Sequence, residues 1–136
     1  MTRHIHLCAI RWGDMDAFAH VNNVEFLRYL EDARARMLFS EASASGVQGL
    51  ADGCVVVRHE IDYARPLAWR PEPVRVETWV SGIAAASFTL CYRVCDGATD
   101  YVRASSVLAP YDLAGQRPRR LTAEERAFLA GYLEGG

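Results

Sequence analysis

No stretch of this 136-residue chain is a membrane span, because its apolar runs fall far short of the roughly 20 residues that cross a bilayer. The opening Met1-Thr2-Arg3-His4 also lacks the long apolar segment of a secretory signal, so a cytoplasmic location is expected. Charge of one sign is missing too. Fifteen basic against seventeen acidic residues leave a formal net charge of -2, which gives no field favouring nucleic acid or an anionic membrane; any anionic ligand must be held by a local patch. Cys8, Cys54, Cys91 and Cys95 make no CxxC pair and fall inside apolar patterns. They read as buried free thiols, neither a zinc site nor a disulfide framework. His4 and His6 find no further ligands in the pattern around them, so no metal and no cofactor is expected.

With 51% hydrophobic residues, the chain is long enough for one domain with a sizeable core and too short for two, so residues 1–136 are read as a single domain. A first strand with both faces partly covered is expected over His4 to Arg11, alternating loosely around Ile5, Leu7 and Ala9 with Cys8 and Ile10 between them. Asn22 is a good N-cap and Glu25 stands where a capping-box acid reaches back. From Val24 to Phe39 nothing breaks a helical pattern in which Phe26, Leu27, Tyr29, Leu30, Ala33, Met37 and Leu38 fill a broad apolar face. Glu31 and Arg34 read as a structural pair. Residues 41–53 are expected to form a connector. Four alternating segments follow, over residues 55–63, 74–80, 88–94 and 101–111, and Thr122 with Glu125 predicts a capped C-terminal helix to Leu133. The order predicts an α+β fold, one buried helix against one antiparallel sheet.

The stretch richest in chemistry is Arg11-Trp12-Gly13-Asp14-Met15-Asp16-Ala17-Phe18-Ala19-His20-Val21-Asn22-Asn23. It delivers two carboxylates to the mouth of a helix whose first turn carries unsatisfied N–H donors. If Asn22 caps Val24 or Glu25, the N–H of Asn23 is left to point along the helix dipole at whatever lies beyond. An aspartate in a glycine-containing loop is ordinarily a turn or cap residue, so spacing alone does not make this a site.

The acidic loop with His20-Val21-Asn22-Asn23, the helix with Glu31-Asp32-Ala33-Arg34, the Tyr63-Ala64-Arg65-Pro66 step and the Arg117-Pro118-Arg119-Arg120 tail together resemble the hot-dog fold thioesterases. The subgroup they are most similar to is the small acyl-CoA thioesterases related to 4-hydroxybenzoyl-CoA thioesterase. That resemblance implies a five-stranded antiparallel sheet wrapped around one long central helix, with a short C-terminal helix. It also implies a homodimer paired sheet edge to sheet edge, possible pairing of dimers into a homotetramer, and active sites at the dimer interface. Asp16 falls on the family's catalytic carboxylate, Asp14 on a loop-supporting one, and the N–H of Asn23 on its oxyanion donor.

Thioester hydrolysis needs a nucleophile or base at the acyl carbon and a donor at the oxygen that becomes negative. Asp16 supplies the first, by direct attack or by activating water, and Asn23 the second. Coenzyme A carries phosphates, for which Arg65, Arg58 and Arg93 are candidates. Phe18 and Val24 are candidates for contact with substrate. His20 and His59 read as structural. Two alternatives stay open: an acyl carrier protein in place of coenzyme A, and a hot-dog module that binds acyl chains without turnover.

Overall fold

The computed structural model describes residues 2–134. Strands β1 (His4–Cys8), β2 (Cys54–Tyr63), β3 (Val74–Ile83), β4 (Phe88–Asp96) and β5 (Thr99–Asp112) form one antiparallel sheet in the order β1-β3-β4-β5-β2. Helix α1 begins at Asn23–Ala35 and continues through a π turn, Arg36–Glu41, into a last α turn, Ala42–Ala44. Its Phe26, Tyr29, Leu30, Ala33, Met37 and Leu38 are buried in one cluster with Val74, Val76 and Val80 of β3, Phe88, Leu90 and Tyr92 of β4, and Val102 and Leu108 of β5. Each of the larger of these side chains contributes about 1.5–3 kcal/mol through burial. This is the helix embraced by a sheet that the resemblance implies.

The helix ends later than its pattern predicts. In the π turn the N–H of Ala42 donates to the carbonyl of Met37, five residues back, and the wider turn keeps Met37, Leu38 and Ala42 all on the core side. The connector beyond it is interrupted by a helical turn, Gly49–Asp52, that seats Leu50 in the core.

Strand β1 stops at Cys8, and only one of its faces is covered, where both were expected to be partly covered. Ile5 and Leu7 are 46% and 63% exposed, whereas Cys8 and Ile10 are buried and His4 and His6 half-buried on the inner side. The cause is the helix opposite, where Asp32, Arg36 and Glu41 give the two histidines charged neighbours. Strand β2 also departs from its expected single apolar face. It is an edge strand paired only with β5, a bulge between Val56 and Arg58 shifts its phase, and Val55, Val56 and Val57 stay exposed.

Thr122 caps the C-terminal helix, Ala123–Ala130, in a capping box with Glu125. Buried Glu125 also accepts from both Nη atoms of Arg119 at 2.7 and 2.8 Å. Past this helix the chain lies beside β3 where β1 leaves off: the N–H of Val80 donates to the carbonyl of Tyr132 and the N–H of Glu134 to the carbonyl of Val80. A two-residue strand absent from the sequence reading, β6 (Arg117–Pro118), pairs with the end of β5.

Candidate active site

After β1, a 3-10 turn at Trp12–Asp14 turns the chain toward the start of α1. Asp14 is fully buried and is the anchor of the loop. One carboxylate oxygen accepts from the N–H of Arg11 (3.0 Å), Nη2 of Arg28 (2.9 Å) and the Tyr29 hydroxyl (2.7 Å); the other accepts from Nε of Arg11 at 3.0 Å. Burial pushes the Asp14 carboxyl up, but the Tyr29 and Arg11 hydrogen bonds and the Arg28 charge outweigh it and hold the group below its ordinary value. Arg28 reaches in three directions, donating also to Glu25 at 2.9 Å and to Asp32 at 3.1 Å. Glu25 is therefore drawn to Arg28, not back to the helix start; a guanidinium is the stronger partner, and the expected capping box does not form.

Residues 16–20 form a tight turn. The N–H of Asp16 donates to the carbonyl of His20, the N–H of Ala19 to that of Asp16, both at 3.0 Å, and Met15 bridges Val21. Ala19 closes the turn at φ 61°, the left-handed region that L side chains rarely occupy. Asp16 is thereby presented half-exposed. Its Oδ1 accepts from the N–H of Phe18 at 2.9 Å, and its Oδ2 has no partner among the described residues.

Asn22 caps as its sequence position predicts, its Oδ1 accepting from the N–H of Val24 at 2.9 Å. Its own N–H donates to the carbonyl of Asp14, and its carbonyl accepts from Glu25. The N–H of Asn23 is left without a hydrogen-bond partner among the described residues. It points out of the positive end of the helix dipole, where an anion is stabilised.

A cleft of about 450 Å³ brings together Asp16, Phe18, Asn23 and Arg65, along with His20, Phe26 and Tyr63. Tyr63 was not singled out from sequence as a site residue; its hydroxyl donates to the carbonyl of Asn23 at 3.0 Å and ties the end of β2 to the start of α1. Val24 is 62% exposed and stands outside this cleft. Arg58 lies farther along β2 in an ion pair with Glu60, and Arg93 is held by Asp100 and by the carbonyl of Gly97, so neither reaches the cleft within one chain.

Asp16 also borders a second cleft, of about 500 Å³, walled by Trp12 and Trp69. Their rings meet edge to face at 5.5 Å. Nothing in the sequence joined these two residues beyond Trp12 lying in the acidic loop. A larger cleft, about 770 Å³, lies elsewhere, between Gln48, Asp112 and Glu124, and holds none of the loop residues. On the inner side of β1, Asp32 of α1 comes beside His6 and Cys8, the three donor atoms all within 4.8 Å of one another.

The model of the thioesterase-like superfamily matches residues 10–129. Among solved structures, a thioesterase of Thermus thermophilus complexed with coenzyme A and Zn is 27% identical, with 94% of this chain and 92% of that one covered and a TM-score of 0.77. The PA2801 protein of Pseudomonas aeruginosa, a candidate thioesterase, is 29% identical over 91% of this chain and 95% of that one, also at 0.77. A predicted thioesterase of Bacillus stearothermophilus, 18% identical, shares the fold over 99% of both chains with a TM-score of 0.84. No curated protein matches the chain. The family match runs from ahead of the acidic loop into the C-terminal helix, and with it the chain belongs to the thioesterase-like superfamily, a thioester hydrolase built on the hot-dog fold.

Proposed function

We propose that the chain is an acyl-CoA thioesterase in which Asp16 is the catalytic carboxylate and the backbone N–H of Asn23 the oxyanion donor. One observation carries this reading: a carboxylate oxygen and a helix-terminal N–H, both unpartnered among the described residues, border the same cleft. With the thioester carbonyl between them, Oδ2 of Asp16 adds to the carbon, giving a mixed anhydride that water then opens, or it takes a proton from a water that adds instead. By either route the carbonyl oxygen becomes negative beside the N–H of Asn23, a kind of contact worth about 2.7–4 kcal/mol in the transition state. The C–S bond breaks as the carbonyl re-forms, and coenzyme A leaves as the thiolate.

Arg65 supports coenzyme A as the carrier. It is exposed on the rim of the cleft and has no carboxylate partner among the described residues, so it is free for a phosphate. The Thermus thermophilus relative is complexed with coenzyme A. Phe18 and Phe26 supply apolar wall for the acyl group.

The active form in this reading is a homodimer, alone or paired into a homotetramer. Strand β2 leaves one backbone edge unpaired and three valines exposed, a surface that proteins ordinarily cover. Two such edges related by a two-fold axis pair antiparallel and bring each cleft against the neighbouring chain. The test is thiol release from short, medium, long and aromatic acyl-CoAs, run beside the same acyl groups on acyl carrier protein. Turnover of coenzyme A esters is expected. Turnover of the carrier-protein esters alone reassigns the carrier, and turnover of neither makes the chain a binding module.

A further inference from the structure

We propose that His6, Cys8 and Asp32 form a transition-metal site of the zinc class that ties strand β1 to helix α1. His6 and Cys8 are two residues apart on a strand and therefore share a face, here the face turned to the helix, from which Asp32 meets them. Their donor atoms lie within 4.8 Å of one another. Bonds of about 2.0–2.3 Å in a tetrahedral site place ligand atoms roughly 3.3–3.8 Å apart, so closing the site needs side-chain movements on the order of 1 Å.

The donor chemistry selects the ion. One imidazole nitrogen, one thiolate and one carboxylate oxygen suit zinc, cobalt or nickel, whereas magnesium and calcium require oxygen donors. A divalent ion with one thiolate, one carboxylate and a neutral imidazole sums to zero charge, which suits a place where Cys8 is 3% exposed. Asp32 is only partly covered, at 42% side-chain exposure, and gives the ion a way in. Its Oδ2 is held by Arg28 at 3.1 Å, the kind of outer contact that orients a ligating carboxylate. Its other oxygen has no partner among the described residues. The positive charge of Arg28 is already met by Asp14 and Glu25. The Cys8 thiol has only a long contact, 3.7 Å to the carbonyl of Ala9. On binding, the Sγ–H bond breaks, its proton passes to water and the sulfur lone pair forms the metal bond, with no change of oxidation state. Three protein ligands leave the fourth position to a water.

The site shares no ligand with the proposed chemistry at Asp16, and its test reads no activity. The metal-free full-length chain is titrated with cobalt(II) and then with zinc(II). Expected are one cobalt per chain, a thiolate-to-cobalt charge-transfer band in the near ultraviolet, four-coordinate visible absorption, and loss of both on adding zinc. Cys8→Ser and His6→Ala abolish the band, Cys91→Ser keeps it, and Asp32→Asn, a change on the partly exposed helix surface that leaves the fold intact, weakens cobalt binding at least about tenfold. Zinc raises the melting temperature of the parent chain and leaves that of Cys8→Ser unmoved. Absence of the charge-transfer band, its survival in Cys8→Ser, or an equal thermal shift in both chains overturns the proposal.

Discussion

Replacing Asp14 by Asn tests whether the buried carboxylate, and not the loop backbone alone, holds the site in place. Asn keeps the shape but can present only one accepting oxygen to four donors, so one charge-assisted bond is lost outright and the attraction to Arg28 falls away. Arg11 is 61% exposed and adds little of this; Tyr29 and the more covered Arg28 contribute most. Removing one member of a buried ionic pair costs about 3–5 kcal/mol, which for a chain of this length lowers the melting temperature by roughly 10–17 °C. The pH dependence has a definite sign. The Asp14 carboxyl lies below its ordinary 3.8 in the fold, so its stabilisation is complete above that value and is lost as pH falls through the lower, folded one. The gap between parent and Asp14→Asn, followed by urea unfolding from pH 7 into acid, is therefore largest at neutral pH and narrows below pH 3.8. A gap under about 1 kcal/mol at pH 7, or one of constant size across the range, refutes the reasoning.

Three further outcomes are expected. Ala19→Gly relieves the φ of 61° and raises unfolding stability by a few tenths to about 1 kcal/mol, read from the urea midpoint; a loss of stability contradicts the strain. Arg65→Ala raises KM for acyl-CoAs about tenfold with kcat little changed, and an unaltered KM removes Arg65 from the phosphate site. Val57→Lys places a charge on the exposed β2 edge; sedimentation should show the dimer dissociating and activity falling with it, and an intact dimer moves the interface elsewhere.

The elements whose burial follows one rule were legible in the sequence. Phe26, Tyr29, Leu30, Ala33 and Met37 face the core as their spacing requires, and Asn22 and Thr122 cap as their chemistry requires. What was not legible depended on what lies opposite. Alternation in β1 offers two faces, and the more hydrophobic one points outward because Asp32, Arg36 and Glu41 of the helix receive the histidines on the other. In β2, alternation carries no information on whether a second strand covers the edge, and the bulge after Val56 breaks its phase. Arg34, read as the partner of Glu31, reaches it only at 3.9 Å; its side chain is largely buried, with Nη1 unpaired among the described residues, while Glu31 is exposed. The acidic loop stood out for its Asp14, Asp16 and Asn22, yet its division of labour, one carboxylate buried under four donors and one left with a free oxygen, is a property of the fold.

That division of labour is tested most directly by the steady-state rate of Asp16→Asn with the best acyl-CoA substrate, measured beside its melting curve and sedimentation. Because Asp16 makes no side-chain hydrogen bond beyond the Phe18 N–H among the described residues, a folded, dimeric protein with kcat lowered at least about 100-fold is expected. A variant that is folded and turns over at the parent rate contradicts it.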